Sequence, residues 1–151
     1  MINRNLILFI ILILSSVHLL EIFGFEPCDL CLKQRWPWYI SLVLAIIPNF
    51  IFQHRNNVFL LLISLLLFLG ATFAGWHAGI EWGLWDGPQT CTAQISNYSS
   101  NLVEKLQSSS FVPQCNQASF RILGLSLAGY NFIISFLVTI MIFKEIGRAH
   151  V

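Results

Sequence analysis

The run Val58-Phe-Leu-Leu-Leu-Ile-Ser-Leu-Leu-Leu-Phe-Leu-Gly-Ala-Thr-Phe-Ala-Gly-Trp76 carries no charged residue. A helix needs about 20 mostly apolar residues to cross a hydrocarbon core roughly 30 Å thick, so this run predicts a membrane span. Working outward, Ile122–Phe143 is also uncharged. Leu6–Phe23 holds only His18 and Glu21 as titratable groups, both near its end. Trp38–Phe52 is shorter and reaches spanning length once Trp36 and Pro37 join it. Hydrophobic residues make up 56% of the 151 positions and charged ones 10%. A soluble domain carries roughly 25% charged residues, so most of this surface faces something other than water. The net charge of +1 comes from scattered basic residues, which excludes a nucleic-acid footprint.

The fold expected is an all-α membrane protein, a four-transmembrane-helix bundle in a single domain over 1–144. Its spans are about 6–23, 36–52, 58–76 and 122–143. No small-x-small site follows the first run, which therefore reads as a retained span and not a cleaved signal peptide. Four spans put both termini and the 53–57 turn on one side and the loops 24–35 and 78–121 on the other. Lys and Arg divide equally between the sides, but the shorter terminal segments carry them more densely, which favours cytoplasmic termini. All four cysteines, Cys28, Cys31, Cys91 and Cys115, fall in the two outer loops. Disulfides persist in oxidising compartments, so these are expected to be periplasmic loops of a bacterial inner-membrane protein.

Trp36, Trp38 and Tyr39 head the second span, and Trp76, Trp82 and Trp85 follow the third, as in an interfacial aromatic belt. Leu102, Val103 and Leu106 fit a short amphipathic surface helix or, equally, a solvated loop. Glu145–Val151 coincides with what a widely used sequencing adapter encodes and is expected to be a non-native tail. There are no internal repeats.

Cys28-Asp-Leu-Cys31 is a CxxC, which by itself fits a redox pair, half of a zinc site or a structural disulfide. It stands where the chain enters the second span, so Cys31 is expected in or near a first helical turn, where orphan amides favour a thiolate. Lys33 and Arg35 add positive charge and Asp29 opposes them. On a helix continuing from Cys31, Arg35 would share its face, although Pro37 would clash with the carbonyl of Lys33. Four cysteines allow three pairings, and proximity favours 28–31 with 91–115. Two disulfides on one side of a membrane suggest an exchange relay, which needs a final electron sink. The sequence has no dinucleotide, haem or flavin motif, so a lipid-soluble quinone is the acceptor to expect, with Arg35 placed to polarise its oxygen. His77 and Glu81, at i and i+4, could assist proton transfer to reduced quinone or simply pin the loop at the interface. His18 and Glu21 are expected to snorkel to water.

The run Cys28-Asp-Leu-Cys31-Leu-Lys-Gln34-Arg35-Trp-Pro resembles the first-loop signature of the disulfide bond formation protein B family. Trp76-His-Ala-Gly-Ile-Glu81-Trp, with Cys91 ten residues beyond Glu81, resembles the approach to that family's second pair. Cys115, then Phe120-Arg-Ile-Leu-Gly-Leu-Ser-Leu-Ala-Gly-Tyr-Asn131, resembles its approach to the fourth span. Asp29 inside the CxxC departs from the pattern. The resemblance implies a quinone-dependent thiol oxidase that reoxidises a periplasmic DsbA-like thioredoxin-fold partner. It implies that Cys28 and Cys31 pass electrons to ubiquinone or menaquinone, Cys31 attacking the ring and Arg35 on the quinone side; His77 is a further quinone-side candidate read from its residues alone. Cys91 would form the mixed disulfide with the partner and Cys115 would resolve it. Two other classes compete. One is a membrane protein whose outer cysteines hold zinc or a structural disulfide clamp; zinc would need four converging thiolates, and the second pair lacks metal-site spacing. A reductase of vitamin-K-epoxide type would carry its CxxC late in the chain, where here it comes first.

Overall fold

The computed structural model describes residues 2–50, 56–88, 114–118 and 120–148. Its elements in chain order are α1 (Ile2–Ile22), α2 (Asp29–Lys33), α3 (Trp36–Phe50), α4 (Asn56–Glu81), β1 (Arg121–Ile122), β2 (Leu125–Ser126) and α5 (Leu127–Arg148). Cys91 and the Leu102–Leu106 segment lie outside the described residues.

Among the described residues, three helices have the length and composition to cross a membrane: Arg4–Ile22, Asn57–Glu81 and Leu127–Arg148. In hydrocarbon every backbone amide must bond within its own segment, and a long uninterrupted helix does this. The 15 residues of α3 rise only about 22 Å at 1.5 Å each, with Pro48 near the described end. Among the described residues the four-span expectation is thus supported for three helices, and α3 is described over 15 residues.

Packing runs in sequence: α1 lies on α3, α3 on α4, and α4 most extensively on α5. Ile10, Ile63, Leu67, Trp38, Ala45, Val138 and Ile142 close the core. Ala71, Ala74 and Ala78 of α4 and Ala128 and Ser135 of α5 are buried, small side chains that let backbones approach where no hydrophobic drive exists between helices. Outward, α1, α4 and α5 expose Leu12, Leu69 and Met141. That apolar exterior marks a multi-pass membrane protein.

Several boundaries differ from those read in the sequence. The third span does not stop at Trp76; α4 continues through His77 to Glu81. It ends at Gly83 (φ 72°), where Gly83 N–H bonds Ile80 O and Leu84 N–H bonds Gly79 O, a Schellman stop that wants glycine in the left-handed region. The fourth span does not begin at Ile122. Arg121–Ile122 pairs antiparallel with Leu125–Ser126, and Leu123 (φ 51°) and Gly124 (φ 82°) make the tight turn, the positive-φ pair a two-residue hairpin requires. Ser126 Oγ then accepts the Gly129 amide at 3.2 Å, capping α5. Trp38 is not in an interfacial belt: it is buried against Phe9 in the core, while Trp36, Trp76, Trp82 and Trp85 remain exposed. α5 runs on through four residues of the 145–151 segment.

Candidate functional site

One end of the bundle gathers the C-termini of α1 and α4, the short α2, the start of α3 and the start of α5. Cys28 is the N-cap of α2, and its sulfur accepts the Cys31 amide at 3.1 Å. Cys28 and Cys31 form a disulfide with Cα atoms 5.0 Å apart. Cys28 is 3% exposed, packed with Leu30, Ile80 and Cys115; Cys31 is half-buried and turned toward a cavity. Cys115 is buried and also disulfide-bonded.

The helix does not continue from Cys31 into α3. It stops at Gln34, whose amide bonds Leu30 O, and restarts at Trp36. Pro37 sits in the first turn of α3, where its missing N–H breaks no helical bond. The expected clash with Lys33 is thereby avoided. Arg35, at the break, still shares the cavity with Cys31, so the two meet by a route other than a common helix face.

That cavity, of about 470 Å³, lies where α1 and α5 leave a gap. Leu14, Val17 and Phe23 line it from α1 and its end, Leu127 and Ile134 from α5. Its polar groups are few: Arg35, Gln34, Glu81, Asn131 and the Cys31 sulfur among them. An apolar pocket of this size with a few convergent polar groups suits a small-molecule ring.

Glu21 does not simply snorkel to water. Its Oε1 accepts Arg35 Nη1 at 2.7 Å, and its Oε2 lies 2.9 Å from His18 Nδ1. His18 Nε2 lies 2.7 Å from the Tyr39 hydroxyl. The carboxylate fixes the guanidinium, 13% exposed, at the cavity wall. His77 is enclosed by protein. It is fully buried, with Nε2 3.7 Å from Cys28 Sγ and 3.2 Å from the Cys115 carbonyl, and Nδ1 2.5 Å from Gln34 Nε2. It does not line the cavity, so its neighbour is the cysteine pair. Glu81 accepts from Ser126 Oγ, and its backbone carbonyl accepts from Arg121 Nη2 at 3.3 Å.

Gln34, Asn131 and the Trp38 indole were given no role by the sequence. Gln34 Oε1 accepts from Asn131 Nδ2 at 3.0 Å, and Asn131 Oδ1 accepts from Trp38 Nε1 at 2.8 Å. Gln34 and Asn131 are 97 residues apart, so spacing could not reveal the pair. The available signal was Asn131, a carboxamide within the uncharged run Ile122–Phe143. Cys28, Cys31 and His77 also form a group whose ligand atoms all lie within 4.8 Å of one another. While the sulfurs are joined to each other they are not the thiolates a metal would need.

The sequence profile described as disulfide bond formation protein DsbB matches residues 3–144. The chain belongs to the DsbB family. It is similar to the uncharacterized protein RP370 of Rickettsia prowazekii (strain Madrid E), at 26% identity over 144 residues, covering 93% of this chain and 83% of that one. No solved structure matches it. DsbB membership makes it a membrane disulfide oxidoreductase of disulfide bond formation, with Cys28–Cys31 as a cysteine pair seen at its centre.

Proposed function

We propose that this DsbB-family chain is a quinone-dependent protein thiol oxidase. It takes electrons from a periplasmic DsbA-like thioredoxin-fold oxidase at Cys91–Cys115, hands them to Cys28–Cys31, and delivers them to ubiquinone or menaquinone. On this reading α3 completes a four-span bundle, the cysteine loops are periplasmic and the termini cytoplasmic, in a bacterial inner membrane. The observation that carries the reading is the division of the CxxC between two surroundings. Cys28 lies in the buried cluster with Cys115, whereas Cys31 opens onto the apolar cavity beside Arg35.

A thiolate attacks the sulfur it can reach. Cys115 is packed near Cys28, so attack there leaves the bonding electron pair on Cys31, at the cavity. Quinone, when bound, accepts two electrons and two protons. Arg35 supplies a fixed positive charge toward its oxygen, Cys31 the electron-rich sulfur, and the apolar walls exclude water. The test is an assay in detergent with a reduced thioredoxin-fold partner and a short-chain ubiquinone or menaquinone analogue. One quinone should be consumed per partner disulfide formed, and Cys91→Ala should stop partner oxidation while leaving Cys28–Cys31 intact. Partner oxidation without quinone loss, or normal turnover by Cys91→Ala, would overturn the relay.

The proximity of Cys28, Cys31 and His77 favours one second reading, a structural metal clamp. The anaerobically reduced protein, given one equivalent of zinc and desalted, is expected to retain none. Retention of one zinc per chain, lost in His77→Gln, would instead support the clamp.

A further inference from the structure

The direction of the hydrogen bonds around His77 can be deduced from a residue that has no choice. An indole N–H only donates. Trp38 Nε1 donates to Asn131 Oδ1 at 2.8 Å, and Ser135 Oγ donates to the same oxygen at 3.2 Å. The Asn131 oxygen therefore faces Trp38, and its amide nitrogen faces Gln34, donating to Oε1 at 3.0 Å. With its oxygen used there, Gln34 presents Nε2 to His77 Nδ1 at 2.5 Å. A carboxamide nitrogen also only donates, so Nδ1 is the acceptor and the ring proton sits on Nε2.

The other side of the ring gives the same answer by a separate route. Nε2 faces Cys28 Sγ at 3.7 Å, the Cys115 carbonyl at 3.2 Å and Glu81 Oε1 at 3.9 Å. A sulfur, a carbonyl and a carboxylate are all acceptors, and each suits an N–H better than a lone pair.

We propose that Trp38, Asn131 and Gln34 are positioning residues that lock buried His77 in its Nε2–H form. His77 is thereby a fixed hydrogen-bond donor, its N–H shared between the Cys115 carbonyl at 3.2 Å and the Cys28 sulfur at 3.7 Å, and not a base that removes the thiol proton. This rests on the reading that the Cys28–Cys31 pair is oxidised and reduced in the protein's work. Reduction breaks the S–S bond and places one electron of the incoming pair on each sulfur. In a glutathione buffer those electrons come from two glutathione thiols, which leave as one glutathione disulfide. Their two protons pass to Cys31 and to water as Cys28 stays a thiolate. A hydrogen bond to an ionised acceptor is roughly twice as strong as one to a neutral group, so the donor stabilises the reduced pair more than the disulfide. It also takes His77 out of the possible metal set, because the nitrogen facing the sulfurs has no lone pair to give.

The test has two readouts, neither using quinone or partner protein. In 15N-histidine-labelled protein, with His77 assigned by its loss in His77→Asn, Nδ1 should show the shift of an unprotonated ring nitrogen and Nε2 that of a protonated one. The second readout is the equilibrium constant of Cys28–Cys31 against glutathione, followed by acid trapping and mass spectrometry of the peptide carrying both cysteines. Gln34→Glu keeps the size but turns the neighbour into an acceptor, moving the proton to Nδ1 and lowering the constant about tenfold, roughly 30 mV for a two-electron couple. Gln34→Leu removes both groups and lowers it similarly. Trp38→Phe keeps an aromatic ring in the core but frees Asn131 to turn, giving a second set of His77 signals and a smaller fall. A wild-type ring protonated on Nδ1 would overturn the proposal. So would glutathione constants that stay at the wild-type value in Gln34→Glu and Gln34→Leu. Failure of the thiol-oxidase reading would appear elsewhere, as wild-type protein that never consumes quinone.

Discussion

A Cys115→Ala variant is expected to lose turnover with the thioredoxin-fold partner and to accumulate a mixed disulfide joined through Cys91. Cys115 is buried beside Cys28, Leu30 and Ile80, and its carbonyl accepts from the His77 ring. Once its disulfide is opened, its sulfur is thus placed to carry electrons inward from the loop. Alanine keeps the backbone, and with it that carbonyl, but removes the sulfur that would attack the partner adduct or the Cys28–Cys31 bond. The adduct then has no resolving thiolate. Oxygen-linked background aside, quinone consumption should fall to that of a sample without enzyme, while Cys28–Cys31 remains oxidised. Mass spectrometry of non-reduced peptides is the measurement. Adducts found only on Cys28 or Cys31 would mean the two pairs exchange roles.

The same residues show how far sequence carried the structure. The apolar cores of α1, α4 and α5 were legible because hydrocarbon leaves a chain little choice but an uninterrupted helix. The ends were not. Apolar runs report which residues can face lipid, so the third span reads as ending at Trp76, before His77. The helix continues because protein groups, not lipid, meet its next polar side chains: Gln34 meets His77 and Ser126 meets Glu81. The hairpin before α5 was hidden for the opposite reason. Leu123 is apolar and an unusual residue for positive φ, so Ile122-Leu-Gly-Leu125 reads as the head of a span, with Gly124 the one available warning. Trp38 shows a further limit, since composition alone does not distinguish an aromatic at an interface from one in a core. At the site, the nearness of Cys28, Cys31 and Arg35 was legible because they fall within one eight-residue stretch. The Gln34–Asn131 contact joins α3's approach to α5 and exists only once the bundle forms.

Arg35→Gln is the second large effect to expect. A preorganised donor aimed at developing negative charge commonly supplies about 3–4 kcal/mol, or a hundredfold or more in rate. Here the guanidinium is 13% exposed and already shared with Glu21 at 2.7 Å, which takes up part of its field. Quinone reduction should therefore slow by somewhat less, roughly tenfold to a hundredfold, with a raised apparent quinone KM. The Cys91–Cys115 pair should still exchange with the partner in a single turnover. Arg35→Lys should recover only part, because a point charge cannot hold Glu21 and a quinone oxygen with one planar fork. Glu21→Gln separates charge from placement. It leaves the guanidinium in the cavity wall but releases it from α1, so KM should rise several-fold while the rate at saturating quinone changes little. A purely structural Arg35, tying α1 to α3, makes a different forecast. Removing either partner of the pair would then lower stability alike, and neither would touch quinone kinetics. Equal quinone KM and kcat for wild type, Arg35→Gln and Glu21→Gln would assign the ion pair to holding the helices and remove Arg35 from the reaction.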